Sequence, residues 1–136
     1  MTDKQLPTPE VVINPDALAY WEGTTRGAVV LQRCDGCSSV IWIPRAICPV
    51  CWTQDLSTFE ATGQGTIYSW TRTAKGLAEY KDAGPYVLAY VELDEGPRVM
   101  TNLVGFDNDP EVGGRVQAVF DEVTDEASLL RFSPAS

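Results

Sequence analysis

Cys34-Asp35-Gly36-Cys37 and Cys48-Pro49-Val50-Cys51 are two matched turns separated by ten residues, and their reading decides the fold of the segment around them. The chain has no other cysteine and no histidine, so the four thiols form one set of ligands. Two C-x-x-C turns each present a pair of sulfurs to a single tetrahedral ion, the arrangement of a zinc ribbon. A four-thiolate site is closed. It organises the chain and leaves no coordination position for a substrate. Disulfides are disfavoured because no secretory signal is recognisable before them. A redox dithiol normally rests on one C-x-x-C in a βαβ setting. A rubredoxin-like iron centre uses the same four sulfurs, so iron stays open beside one structural Zn2+.

Working outward, Val29–Arg33 leads into the first turn and Val40-Ile41-Trp42-Ile43 leaves it. These segments predict a metal-pinned hairpin within a ribbon over 28–56. So small a unit cannot bury enough apolar surface to hold itself, and the ion replaces the missing core. Upstream, residues 1–13 are polar and proline-punctuated and predict an extended or mobile segment. Asn14-Pro15-Asp16 supplies a cap, a first-turn proline and an acidic residue, so a short helix is expected over 15–24, with Gly23 as its stop. Residues 1–27 thus form an N-terminal tail and helix.

From Gly63 the pattern turns to β-sheet, and 57–136 is read as one module. Strands are expected at Gly65–Thr73, Tyr86–Leu93, Arg98–Phe106, Arg115–Val123 and Ser128–Phe132, with a turn at Asp94-Glu95-Gly96-Pro97. In the first, alternation puts Ile67, Ser69 and Thr71 on one face and Thr66, Tyr68, Trp70 and Arg72 on the other. The fold class is mainly β: a short helix, a rubredoxin-like zinc ribbon, then a five-stranded barrel of the OB type.

Length and composition agree with one compact unit or two very small ones: 136 residues, of which 44% are hydrophobic. No apolar run approaches the roughly 18 residues of a membrane span. A cytoplasmic protein is the expectation. The formal charge of −9, falling to about −11 with a zinc tetrathiolate, argues against a phosphate-binding groove. The ten basic residues are scattered, so a nucleic-acid-binding module is the weaker alternative, and a rubredoxin-like electron carrier another. General bases and nucleophiles are also scarce, since histidine is absent and the cysteines are committed to metal. Asp94-Glu95 reads as a solvated turn more readily than as a carboxylate pair. The chain is not expected to be an enzyme by itself.

Leu31-Gln32-Arg33-Cys34-x-x-Cys37, Pro44-Arg45-x-x-Cys48-Pro49-x-Cys51 and Gly63-x-Gly65-Thr66-Ile67-Tyr68-Ser69 together carry a resemblance. With Pro85-Tyr86-Val87-x-Ala89-x-Val91-Glu92-Leu93, Asp94-Glu95-Gly96 and Phe132-x-Pro134, the chain resembles the acyl-CoA-associated zinc-ribbon/OB-fold family, domain of unknown function family thirty-five. The resemblance implies a non-catalytic subunit that binds a thiolase-superfamily enzyme and helps shape its acyl-CoA channel. It extends to ketoacyl-CoA thiolysis, acyl transfer, or steroid degradation beside a lipid-transfer-protein-like aldolase, in a heteromeric complex that shares acyl-CoA with its partner. Many relatives have glycine where this chain has Ser38 and a small residue where it has Trp52.

Two further sets of residues are candidates. Tyr20, Trp21, Trp42 and Trp52 are large aromatics that either dock the helix and ribbon on the chain's own core or anchor a partner. Arg72 stands just before the Ala74–Gly84 connection and Lys75 and Lys81 lie within it; that connection is a candidate wall of the acyl-CoA passage or an ordinary solvated loop. Coenzyme A is polyanionic, so an acidic chain leaves most of its phosphates to the partner.

Overall fold

The computed structural model describes residues 6–135; residues 1–5, part of the expected extended tail, and Ser136 lie outside the described residues. Residues 6–14 have no regular secondary structure. Asn14 Oδ1 accepts from the Asp16 N–H at 2.9 Å, as its capping role requires, and Pro15–Ala17 forms a single 3-10 turn. Helix α1, Leu18–Thr25, follows.

Gly23 does not stop that helix, which corrects its expected role. It lies inside α1, where an added Cβ would stand 2.4 Å from Val30 Cγ2, so its missing side chain lets the helix lie on the ribbon. The stop is Gly27, at φ +75°. The Ala28 N–H donates to Gly23 O at 2.9 Å and the Gly27 N–H to Thr24 O at 3.3 Å, the paired bonds of a Schellman cap.

The ribbon is a three-stranded antiparallel sheet in the order β2-β1-β3, built from β1 (Val30–Cys34), β2 (Val40–Ile41) and β3 (Leu56–Glu60). Strand β3 had no clear sequence signal, because its exposed Ser57 and Thr58 dilute the apolar pattern. It pairs along all of β1, from Val30↔Glu60 to Cys34↔Leu56.

Five strands form the closed barrel: β4 (Gln64–Thr73), β5 (Tyr86–Leu93), β6 (Arg98–Leu103), β7 (Arg115–Thr124) and β8 (Ala127–Pro134). Their order, β4-β5-β6-β8-β7 with β7 returning to β4, is that of an OB-fold. One parallel bridge, Leu103↔Phe132, joins β6 to β8. Val87, Ala89, Val91 and Leu93 point inward along β5, as alternation predicts.

Alternation fails in β4. A bulge between Ile67 and Ser69 shifts the register, so Trp70, opposite inward Ala89, packs on the same core as Ile67 instead of sharing a face with Tyr68. Tyr68 keeps its expected outward face, and the face assignment is corrected from Ser69 onward.

Ribbon and barrel share one hydrophobic cluster. Val29 and Leu31 from the ribbon side are buried with Ile67, Val91, Val116 and Phe132, while Trp42 and Phe59 pack at its edge. Helix α1 joins the assembly through buried Thr24, whose Oγ1 accepts from the Ser128 N–H of β8 at 2.9 Å.

Candidate metal centre

The two cysteine turns have the same internal construction. The Ser38 N–H donates to Cys34 O at 2.9 Å, and the Trp52 N–H donates to Cys48 O at 3.0 Å. The Cys34 N–H reaches Ser39 O, and the Cys48 N–H reaches Thr53 O, each at 2.9 Å. Backbone N–H groups also aim at sulfur: Gly36 and Cys37 at Cys34 Sγ, both 3.3 Å, and Val50 at Cys48 Sγ, 3.4 Å. Such donors stabilise negative sulfur, the form a metal binds. Each turn closes through a left-handed residue, Ser38 at φ 66° and Trp52 at φ 69°. Glycine adopts that conformation freely, which explains physically why a small residue suits either position.

Cys34, Cys37, Cys48 and Cys51 bring their sulfurs within 4.8 Å of one another. Cys34 and Cys51 are 3.4 Å apart, and Cys37 and Cys48 are 3.7 Å apart. A tetrahedron with metal–sulfur bonds of about 2.3 Å has edges of about 3.8 Å, so the donor set fits one structural zinc. Without an ion the sulfurs cannot all ionise together. The Ser39 hydroxyl, 3.1 Å from Cys37 Sγ, helps draw that thiol down to about 6. Although the Thr53 backbone favours the Cys51 thiolate, Cys34 and its companions push Cys51 up to about 12. Bound zinc supplies the compensating positive charge and closes the ribbon.

The second turn is braced by a residue whose role was not legible in sequence. Buried Gln32 on β1 donates from Nε2 to Arg45 O at 2.8 Å and accepts the Arg45 N–H on Oε1 at 2.9 Å. Its amide pairs with Arg45 as a neighbouring strand would. An isolated glutamine carries no such signal.

The four candidate aromatics separate. Tyr20 is 3% exposed, in edge contact with Trp21 at 5.0 Å and Trp42 at 6.3 Å between ring centroids. Burial pushes its hydroxyl up to about 12. The Trp42 indole N–H is near enough to oppose that shift but is buried outside hydrogen-bond geometry. Tyr20 thus belongs to the junction of helix and ribbon, which corrects its candidacy for a docking surface. Trp21 and Trp42 are half-buried there, whereas Trp52 is 80% exposed beside the metal site.

The candidate cations lie on the barrel. Arg72 Nη2 is 2.6 Å from Asp109, while Lys75 and Lys81 are exposed on the β4–β5 connection. Arg26, Arg98, Arg115 and Arg131 likewise pair with Glu60, Glu92, Asp94 and Asp121, so five of the seven arginines face carboxylates. Asp94 and Glu95 do not form a carboxylate pair: Asp94 binds Arg115 at 2.7 and 2.9 Å, and Glu95 accepts the Thr62 N–H at 2.9 Å.

Residues 21–57 match the ChsH2 rubredoxin-like zinc ribbon domain, and residues 59–121 match the ChsH2 C-terminal OB-fold domain. A DUF35 domain-containing scaffold protein of Methanothermobacter thermautotrophicus is 38% identical over 97 residues, 70% of this chain and 73% of that protein. This chain belongs to the DUF35 family. Among solved structures, it is similar to the Ltp2-ChsH2(DUF35) aldolase, at TM-score 0.79 and 36% identity over 93% of this chain and 100% of that one. Similarity extends to a probable enoyl-CoA hydratase alpha subunit of Thermomonospora curvata, 38% identical over 128 residues. This DUF35 chain aligns over 93% of its own length there but spans only 40% of that relative.

Proposed function

We propose that this chain is a non-catalytic scaffold subunit that binds a thiolase-superfamily enzyme and contributes to the wall of its acyl-CoA channel. The reaction served is retro-aldol cleavage of an acyl-CoA, as in sterol side-chain breakdown, or the related thiolysis or acyl transfer of ketoacyl-CoA. The observation that carries the reading is the likeness to the DUF35 chain of an aldolase over that chain's full length. The chain's own chemistry supports it. Its cysteines form a closed sulfur site, it has no histidine, and its arginines largely face its own carboxylates, so neither catalysis nor an unaided grip on coenzyme A phosphates is provided for.

The test is reconstitution with a thiolase-superfamily subunit from the same organism. The reading expects a stable complex, acyl-CoA turnover by the complex, and little turnover by this chain alone. Turnover by the purified chain, or failure of the two proteins to associate, overturns it.

A further inference from the structure

The two cysteine turns share a backbone but not a surface. The first, with the residue before it, carries Arg33, Asp35, Gly36 and Ser38, whereas the second carries at the matching positions Ile47, Pro49, Val50 and Trp52, of which Ile47, Val50 and Trp52 are 43%, 64% and 80% exposed. Because the first turn closes the same hydrogen bonds with small and polar residues, metal binding does not require the apolar ones. Trp52 even works against the turn. A bulky residue at φ 69° carries a steric cost that glycine avoids, and its exposed ring recovers little of that cost through burial within the chain.

We infer that Ile47, Val50 and Trp52 form an anchor that inserts into an apolar pocket, rimmed by basic residues, on the acyl-CoA-binding catalytic subunit. The inference rests on the scaffold reading and adds the surface through which it acts. Tryptophan set among smaller apolar residues is the composition of interface hot spots, and conformational strain held at an exposed side chain is characteristic of functional sites. Charge selects the occupant. A protein that binds a polyanionic thioester cofactor presents cations around its mouth, while this chain carries −9 overall; at the ribbon, exposed Asp35 and Asp55 are matched by exposed Arg33 and Arg45, and a zinc tetrathiolate would bring the ribbon to about −2. A second copy of this chain would set two chains of −9 against each other, so self-association is disfavoured.

Trp52→Gly tests the anchor without endangering the fold, since glycine suits the left-handed position. The variant should keep one metal per chain and a melting temperature no lower than the parent's. Its Kd for the purified thiolase-superfamily subunit used in the reconstitution, measured by titration calorimetry, should rise by about 10- to 100-fold. Val50→Ser should weaken binding in the same direction, and raising salt from about 0.05 M to about 0.5 M should weaken the parent complex. Equal affinity of parent and Trp52→Gly overturns the anchor while leaving the scaffold reading intact; a parent chain that does not bind overturns both. Salt-independent affinity overturns the basic rim. A parent dimer that Trp52→Gly converts to monomer overturns the assignment of the occupant.

Discussion

Arg131 on β8 donates from Nη1 to Asp121 Oδ2 on β7 at 2.6 Å, and its guanidinium is enclosed, leaving the residue 1% exposed. Nη2 of the same side chain donates to the Pro7 carbonyl and, at 3.2 Å, to the Tyr80 hydroxyl. A single buried cation thereby ties the N-terminal segment and the β4–β5 connection to the barrel. Tyr80 also packs on Tyr86, with ring centroids 5.0 Å apart, so that connection is held at its centre.

Arg131→Ala should therefore be severe. It leaves a partly buried carboxylate, a hydroxyl and a carbonyl without their shared donor, a loss of about 3–5 kcal/mol. Urea denaturation measures it. Tyr80→Phe removes one neutral acceptor and should cost only about 1 kcal/mol.

Metal removal should affect more than the ribbon. Structural zinc supplies about 10–16 kcal/mol of apparent binding energy. Because Val29 and Leu31 lie in the barrel's own cluster, chelation should lower the melting of the whole chain in one transition. Calorimetry with and without chelator gives the answer, and a barrel transition unmoved by chelation would contradict the shared core.

Gly23→Ala sets two effects of opposite sign against each other. Alanine favours a helix interior by about 1 kcal/mol, but its Cβ would meet Val30 Cγ2 at 2.4 Å. Overpacking of this kind costs about 1–3 kcal/mol, so the variant should be less stable, with a lower urea midpoint and an unchanged m-value.

Asp94 gives a small acid dependence. The hydrogen bond from Arg115 holds its carboxyl below the ordinary 3.8, so the folded state favours the charged form. The contribution is fully present above the unfolded-state value and is lost as pH falls through the depressed folded value. Stability of the parent relative to Asp94→Asn should shrink on acidification below about pH 4. Both side chains are substantially exposed, so the difference should be modest and should fade with salt.

We propose that Lys75 and Lys81, exposed on the β4–β5 connection, stand at the mouth of the acyl-CoA passage. Replacing both by alanine should raise the KM of the complex for acyl-CoA by about 3- to 10-fold with kcat unchanged, as expected for two exposed charge contacts. Unchanged kinetics would return the connection to the role of a solvated loop.

Some of this molecule is written locally. The metal site is legible because both sulfurs of each turn lie three residues apart, and the turn that brings them together is closed within the same few residues. The inward face of β5 is legible because period two survives along an unbroken strand. The sequence by itself therefore determined the ligand set, the β class and most strand positions. Only the tertiary structure decided the side of β4 that Trp70 takes, the close approach served by Gly23, and the pairing of β3 with β1. It also decided that Tyr20 is enclosed while Trp52 stands in solvent, and that Arg131 reaches Tyr80 and Pro7, 51 and 124 residues away. Each of these depends on which distant segment arrives opposite, and neither spacing nor propensity along the chain encodes that meeting.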